Sequence, residues 1–156
     1  MHLLLWLLLA FVPRPPAAPA DSLLIDVTGR VTVLRAPDLA ALPHDSVRWP
    51  YHGVPHTYTG IRLVVLLKRV GLPMDSLHGS DLTKRVVVEA ADRYRAVFTL
   101  AEISPGIGSR EVLVADAEDG HPLPPSVGRW RLVVPGDRGG VRAVREVVAL
   151  RVRDET

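Results

Sequence analysis

The sequence predicts an α+β domain, a mixed and largely antiparallel β-sheet with short helices. Short β-branched runs recur along the chain, and most are joined to the next by a tight turn. Only residues 61–70 show sustained helical spacing.

The chain opens with an apolar run from Leu3 to Val12, followed by prolines and the small residues Ala17 to Ala20. An apolar core ahead of an A-x-A-like pattern predicts a signal peptide over residues 1–20, cleaved before Asp21, and so a periplasmic or secreted protein. The run falls short of the ~20 apolar residues that span a bilayer, so no stable membrane span is expected after cleavage. Residues 21–156 then form one domain of ordinary size, with no linker or repeat dividing it.

Leu23 to Val27 and Val31 to Leu34 read as a hairpin turning at Gly29. Pro37 to Leu42 begins with proline and aspartate at a helix start and stops at Pro43, which predicts one or two helical turns. Ser46 to Trp49 suggests a short strand. Pro50 to Thr59 carries two prolines, two histidines, two tyrosines and a glycine without periodicity, and reads as an aromatic loop. Ile61 to Val70 is the clearest helix, with Leu63, Leu66, Leu67 and Val70 on one face, Lys68 and Arg69 in the last turn and Gly71 beyond. Arg85 to Ala90 and Tyr94 to Phe98 form a second hairpin. Thr99 and Glu102 match a capping box, so a short helix begins there and ends before Pro105. Glu111 to Ala115 and Trp130 to Val134 are further strands. The tail from Val141 to Val152 reads as a helical turn entering a closing strand.

Composition excludes several classes of function. Arg14 is the only lysine or arginine within residues 1–20, so of 19 basic residues 18 remain against 17 acidic ones, without the basic excess of a nucleic-acid binder. There is no cysteine, hence no disulfide, thiolate nucleophile, iron–sulfur cluster or thiolate metal ligand. No nucleophile elbow, phosphate-binding P-loop or well-spaced carboxylate pair supports a hydrolase.

Several residues could bind a ligand. His52 and His56 lie four apart in the aromatic segment and could hold a borderline metal or hydrogen-bond an anion, although no third ligand has metal spacing and ordinary loop histidines explain them as well. Tyr51 and Tyr58 could stack on a flat ring or simply cover the core edge. Asp92 and Tyr94 flank a hairpin turn, where aspartate also serves as an Asx cap. Pro135 to Gly140 exposes backbone amides through its glycines, and Arg138 and Arg142 add charge, which makes it the best anion-site candidate beside the plainer reading of a solvated loop. Glu102 reads as a helix cap. His44, His78 and His121 receive no role.

One resemblance ties these pieces together. Val27 to Val31, Tyr58 to Leu63 running into Leu66, Leu67 and Gly71, and Ala91 to Tyr94 carry it, followed by Asp119-Gly120 with Pro122-Leu123, Arg131 to Gly136 and the basic tail. Their order and spacing resemble the oxidoreductase molybdopterin-binding domain of the sulfite oxidase family. The resemblance implies a pocket for molybdopterin, redox chemistry on small oxyanions or sulfoxides, and a redox partner protein. The family places the Asp92–Tyr94 turn near its pocket, and with the residues singled out above the candidate cofactor contacts are His52, His56, Tyr58, Asp92, Tyr94, Arg131, Arg138 and Arg142. In that family a cysteine thiolate ligates molybdenum, yet the comparable stretch Val47 to His56 has none. The family's Asp-Gly-Tyr is Asp92-Arg93-Tyr94 here, and its Gly-x-Pro is Gly128-Arg129-Trp130.

Three functions stay open. One is a molybdopterin-dependent oxidoreductase with histidine, water or oxo ligands in place of the thiolate. A second is a non-catalytic binding module on the same fold for a small anionic or aromatic ligand or a partner protein. A third is an interaction domain of merely similar architecture. The first two expect His52, Tyr58, Asp92 and Arg138 to converge on one concavity, whereas the third expects a shallow surface.

Overall fold

The computed structural model describes residues 21–154, and the predicted signal segment lies outside them. Two sheets form the frame. Strands β1 (Ser22–Val27), β2 (Arg30–Arg35), β5 (Arg85–Ala90), β6 (Arg95–Thr99) and β10 (Val147–Arg153) make the first, in the order β2-β1-β10-β5-β6. Within it β1 and β10 run parallel, so the two ends of the domain lie side by side, and the other neighbours are antiparallel. Buried Asp26 on β1 accepts hydrogen bonds from Arg151 and Arg153 of β10, fastening this non-local pair.

The second sheet joins β3 (Asp45–Tyr51), β4 (Val54–Arg62), β7 (Leu113–Glu118) and β8 (His121–Pro122) in chain order, with β9 (Arg131–Val133) also paired to β7. Three short helices complete the domain, α1 (Ala36–Ala40), α2 (Leu63–Arg69) and α3 (Leu100–Ile103), with 3₁₀ turns at Gly79–Thr83 and Gly140–Arg142. Thr99 caps α3 as expected, its hydroxyl accepting from the Glu102 amide at 3.0 Å. Beyond α2, Gly71 takes φ +92° and the Leu72 amide donates to the Leu67 carbonyl, a Schellman ending. Among the described residues no helix is long and apolar enough to cross a membrane.

Three local expectations are corrected. Pro50 to Thr59 is no loop: β3 runs to Tyr51, β4 begins at Val54, and His52-Gly53 is the two-residue turn between them. Both turn residues have positive φ, +50° and +81°, the backbone of a type I′ hairpin turn. The prolines are tolerated because β3 is an edge strand and Pro55 precedes the part of β4 that pairs with β7. The helix predicted from Ile61 begins at Leu63, because Ile61 and Arg62 remain in the β4–β7 ladder. The strand expected at Glu111 to Ala115 is shifted to Leu113–Glu118.

Alternation sorts the second sheet into two faces. Ile61, Val112, Val114, Leu132 and Val134 join the main core with the first sheet and the helices. Val47, Trp49, Tyr58, Leu113, Ala115 and Val133 form a smaller cluster on the opposite face. Arg131 alternates onto that face beside Val133 and is only 2% exposed.

Candidate ligand-binding site

The smaller cluster is built around a buried cation. The Arg131 guanidinium lies 4.1 Å from the Tyr51 ring centre, 5.2 Å from Tyr58 and 5.6 Å from Trp49. Its Nη1 donates to the Tyr58 hydroxyl at 3.3 Å, whereas Nε and Nη2 are buried without a hydrogen-bond partner. Among the described residues no carboxylate pairs with it. Cation–π contacts contribute roughly 0.5–2 kcal/mol each, less than the several kcal/mol that desolvating a charge costs. The free Nε–Nη2 edge is the fork that meets two oxygens of an oxyanion side-on.

Tyr51, whose ring lies over Arg131, also lines a cleft of about 710 Å³. The β3–β4 hairpin supplies Trp49, Tyr51 and His52 to one wall, and the Pro135–Val141 loop supplies Arg138, Gly139 and Gly140 to the other. A Cβ added at Gly140 would touch the rings of Trp49 and Tyr51, both at 3.7 Å. Exposed Arg138 has no ion-pair partner among the described residues, so its charge is available. Asp137 is different: its carboxylate receives Arg142 and Arg110, and the Arg142 guanidinium beside it holds its pKa below the usual carboxylate range.

An adjoining depression of about 430 Å³ shares Tyr51, Gly140 and Val141 with the cleft and contains Asp92 and Tyr94. Both are also tied into the fold. Asp92 Oδ1 accepts from the Tyr94 amide at 2.9 Å, and the Tyr94 hydroxyl donates to the Val141 carbonyl at 2.6 Å.

The sequence candidates therefore separate into groups. His52 and Arg138 face one cleft, Asp92 and Tyr94 face its neighbour, and Tyr58 and Arg131 lie buried beneath the aromatic wall. Arg142 is committed to Asp137 and Glu102 and covers Phe98 at 4.5 Å. His56 lies elsewhere, with Nδ1 at 2.8 Å from Asp119 and 3.0 Å from Glu118. Burial pushes the Tyr58 phenol up to about 12; Arg131 opposes that rise and Glu118 adds to it. Trp49, Glu118 and Asp119 were not expected in any site. In sequence Trp49 reads as the end of a short strand leading into a loop, which hides its place against Tyr58, and the acids lie some sixty residues from His56.

The fold and cleft together define an α+β domain with an aromatic, arginine-bearing cleft on the outer face of its second sheet. The chain belongs to the oxidoreductase molybdopterin binding domain family, whose model matches residues 33–156. No curated protein matches it. Among solved structures the chain is similar to the sulfane dehydrogenase SoxCD from Paracoccus pantotrophus, at 20% identity and a TM-score of 0.68. That likeness is one of fold; it covers 88% of this chain and 40% of that chain.

The family's cofactor can be tested against the residues present. The orphaned fork of Arg131, the aromatic wall and the glycine-rich loop suit a flat ring bearing an anionic group. The metal is another matter: the chain has no cysteine, and the thioether of Met74 is fully buried in the main core. The donors around the cleft are nitrogen and oxygen only, so they do not fit thiolate-held molybdenum.

Proposed function

We propose that this is an exported, non-catalytic binding module on the molybdopterin-domain fold, taking a small anionic ligand with a flat ring, such as a pterin bearing an acid group. The carrying observation is Arg131, a buried cation with an open two-nitrogen fork and no protein counter-ion. Arg131 would pair with the anionic group once Tyr51 turns aside. Trp49 and Tyr51 would stack on the ring, and Arg138 with the glycine amides would hold further acceptors at the rim. The apolar run and small residues within 1–20 support export to a periplasm or the medium. Without a cysteine the chain cannot supply the thiolate by which the family ligates molybdenum.

The test is a fluorescence titration of the protein with pterin-6-carboxylate, in the native chain and in Arg131→Met. The proposal expects saturable binding that weakens at least tenfold in the variant, and a smaller loss in Arg138→Ala. Binding of equal strength in all three proteins would contradict it.

A further inference from the structure

We propose that His56, Glu118 and Asp119 form a binding site for a borderline divalent cation such as Zn²⁺, separate from the cleft. The three come from β4, the end of β7 and the turn after it. His56 Nδ1 and one oxygen of each carboxylate all lie within 4.8 Å of one another, a span that one ion with bonds of ~2.0–2.2 Å can bridge. His121 stands opposite Glu118 in the β7–β8 register, so its side chain lies on the same face beside the cluster. Its charge also acts on Asp119, whose pKa is held down chiefly by the Thr57 amide and then by His56.

Charge distinguishes this cluster from ordinary surface ion pairs. Asp26, Asp45, Glu89, Glu102, Glu111 and Asp137 each pair with an arginine. Glu118 and Asp119 meet no lysine or arginine among the described residues, and their common partner is an imidazole. A dication would neutralise both carboxylates. An imidazole beside carboxylates selects a borderline metal over Mg²⁺ or Ca²⁺, which prefer oxygen alone. Bound there, it would clamp the β3–β4 hairpin to the β7–β8 turn. That turn is already docked, with Asp119 accepting from the Thr57 amide and donating its own amide to the Thr57 carbonyl, both at 2.8 Å.

The experiment is calorimetric titration of the full chain with Zn²⁺, repeated with Mg²⁺ and with three variants. The expectation is one Zn²⁺ per chain, far weaker Mg²⁺ binding, and at least a tenfold loss in His56→Ala and in the double variant Glu118→Gln with Asp119→Asn. The amide replacements keep an oxygen for the Thr57 amide, and His78→Ala, remote from the cluster, should bind as the parent does. Saturating Zn²⁺ at ~100 times its Kd should raise the unfolding midpoint by roughly 5–10 °C. Absence of saturable binding, or a double variant within twofold of the parent, would overturn the site. Co²⁺ gives a readout that needs no variant: it should shift the imidazole resonances of His56 and His121 while sparing His78, and the opposite pattern would refute the assignment.

Discussion

Arg131 shows how one residue can be poor for stability and good for binding. A strand position flanked by buried Trp130 and Leu132 calls for an apolar side chain, yet here it carries a guanidinium with two unpaired nitrogens. Replacing a buried, poorly paired charge by a hydrophobe of similar size is often neutral or stabilising by 1–4 kcal/mol. Arg131→Met should therefore unfold in denaturant at the same midpoint or a higher one while losing its ligand; a loss of more than ~2 kcal/mol would mark a structural arginine instead. Tyr58 gives a second prediction. Its phenol is neutral when protonated and its folded pKa is raised to about 12 from an ordinary value near 10. Its contribution to stability is complete below pH ~10 and lost as pH rises through ~12. Ultraviolet titration should show one late phenolate step that disappears in Tyr58→Phe, and an unchanged titration curve would contradict the assignment.

At the scale of elements, legibility followed locality. The β1–β2 and β5–β6 hairpins announce themselves through β-branched runs around a short turn, and Thr99 and Glu102 announce α3. The β3–β4 hairpin was hidden, because its turn is His52-Gly53 and its strands contain Pro50 and Pro55, residues that signal a loop when read alone. Edge position and pairing register make them acceptable, and neither can be read from sequence. The candidate site suffered similarly: His52, Arg138 and the glycine loop were visible, whereas the burial of Arg131 and the acids beside His56 arise from contacts between distant strands. Gly60 tests this account of β4. At the bulge in the β4–β7 ladder a Cβ would collide with the backbone of Val114 and Ala115. Neither backbone can retreat without breaking the ladder, so Gly60→Ala should cost at least about 2 kcal/mol in denaturant unfolding. A change below ~0.5 kcal/mol would show that the two strands are less closely apposed.

For the whole molecule, the two sheets divide the work. The first sheet and the helices bury the main core, whereas the outer face of the second sheet sets Arg131 among Val47, Trp49, Tyr58, Leu113, Ala115 and Val133. The family's fold is thus retained beside a cleft lined by arginine, histidine, glycine and aromatic residues, with no thiolate among them. Fold alone does not fix chemistry, so the contents of the cleft decide the matter. The most direct measurement is the molybdenum and pterin content of the protein purified from cells that make the cofactor, by elemental mass spectrometry and by fluorescence of oxidised extracts. A binding module predicts molybdenum far below one atom per chain, with or without a bound pterin. Near-stoichiometric molybdenum together with pterin would contradict it and establish an oxidoreductase whose metal is held without cysteine.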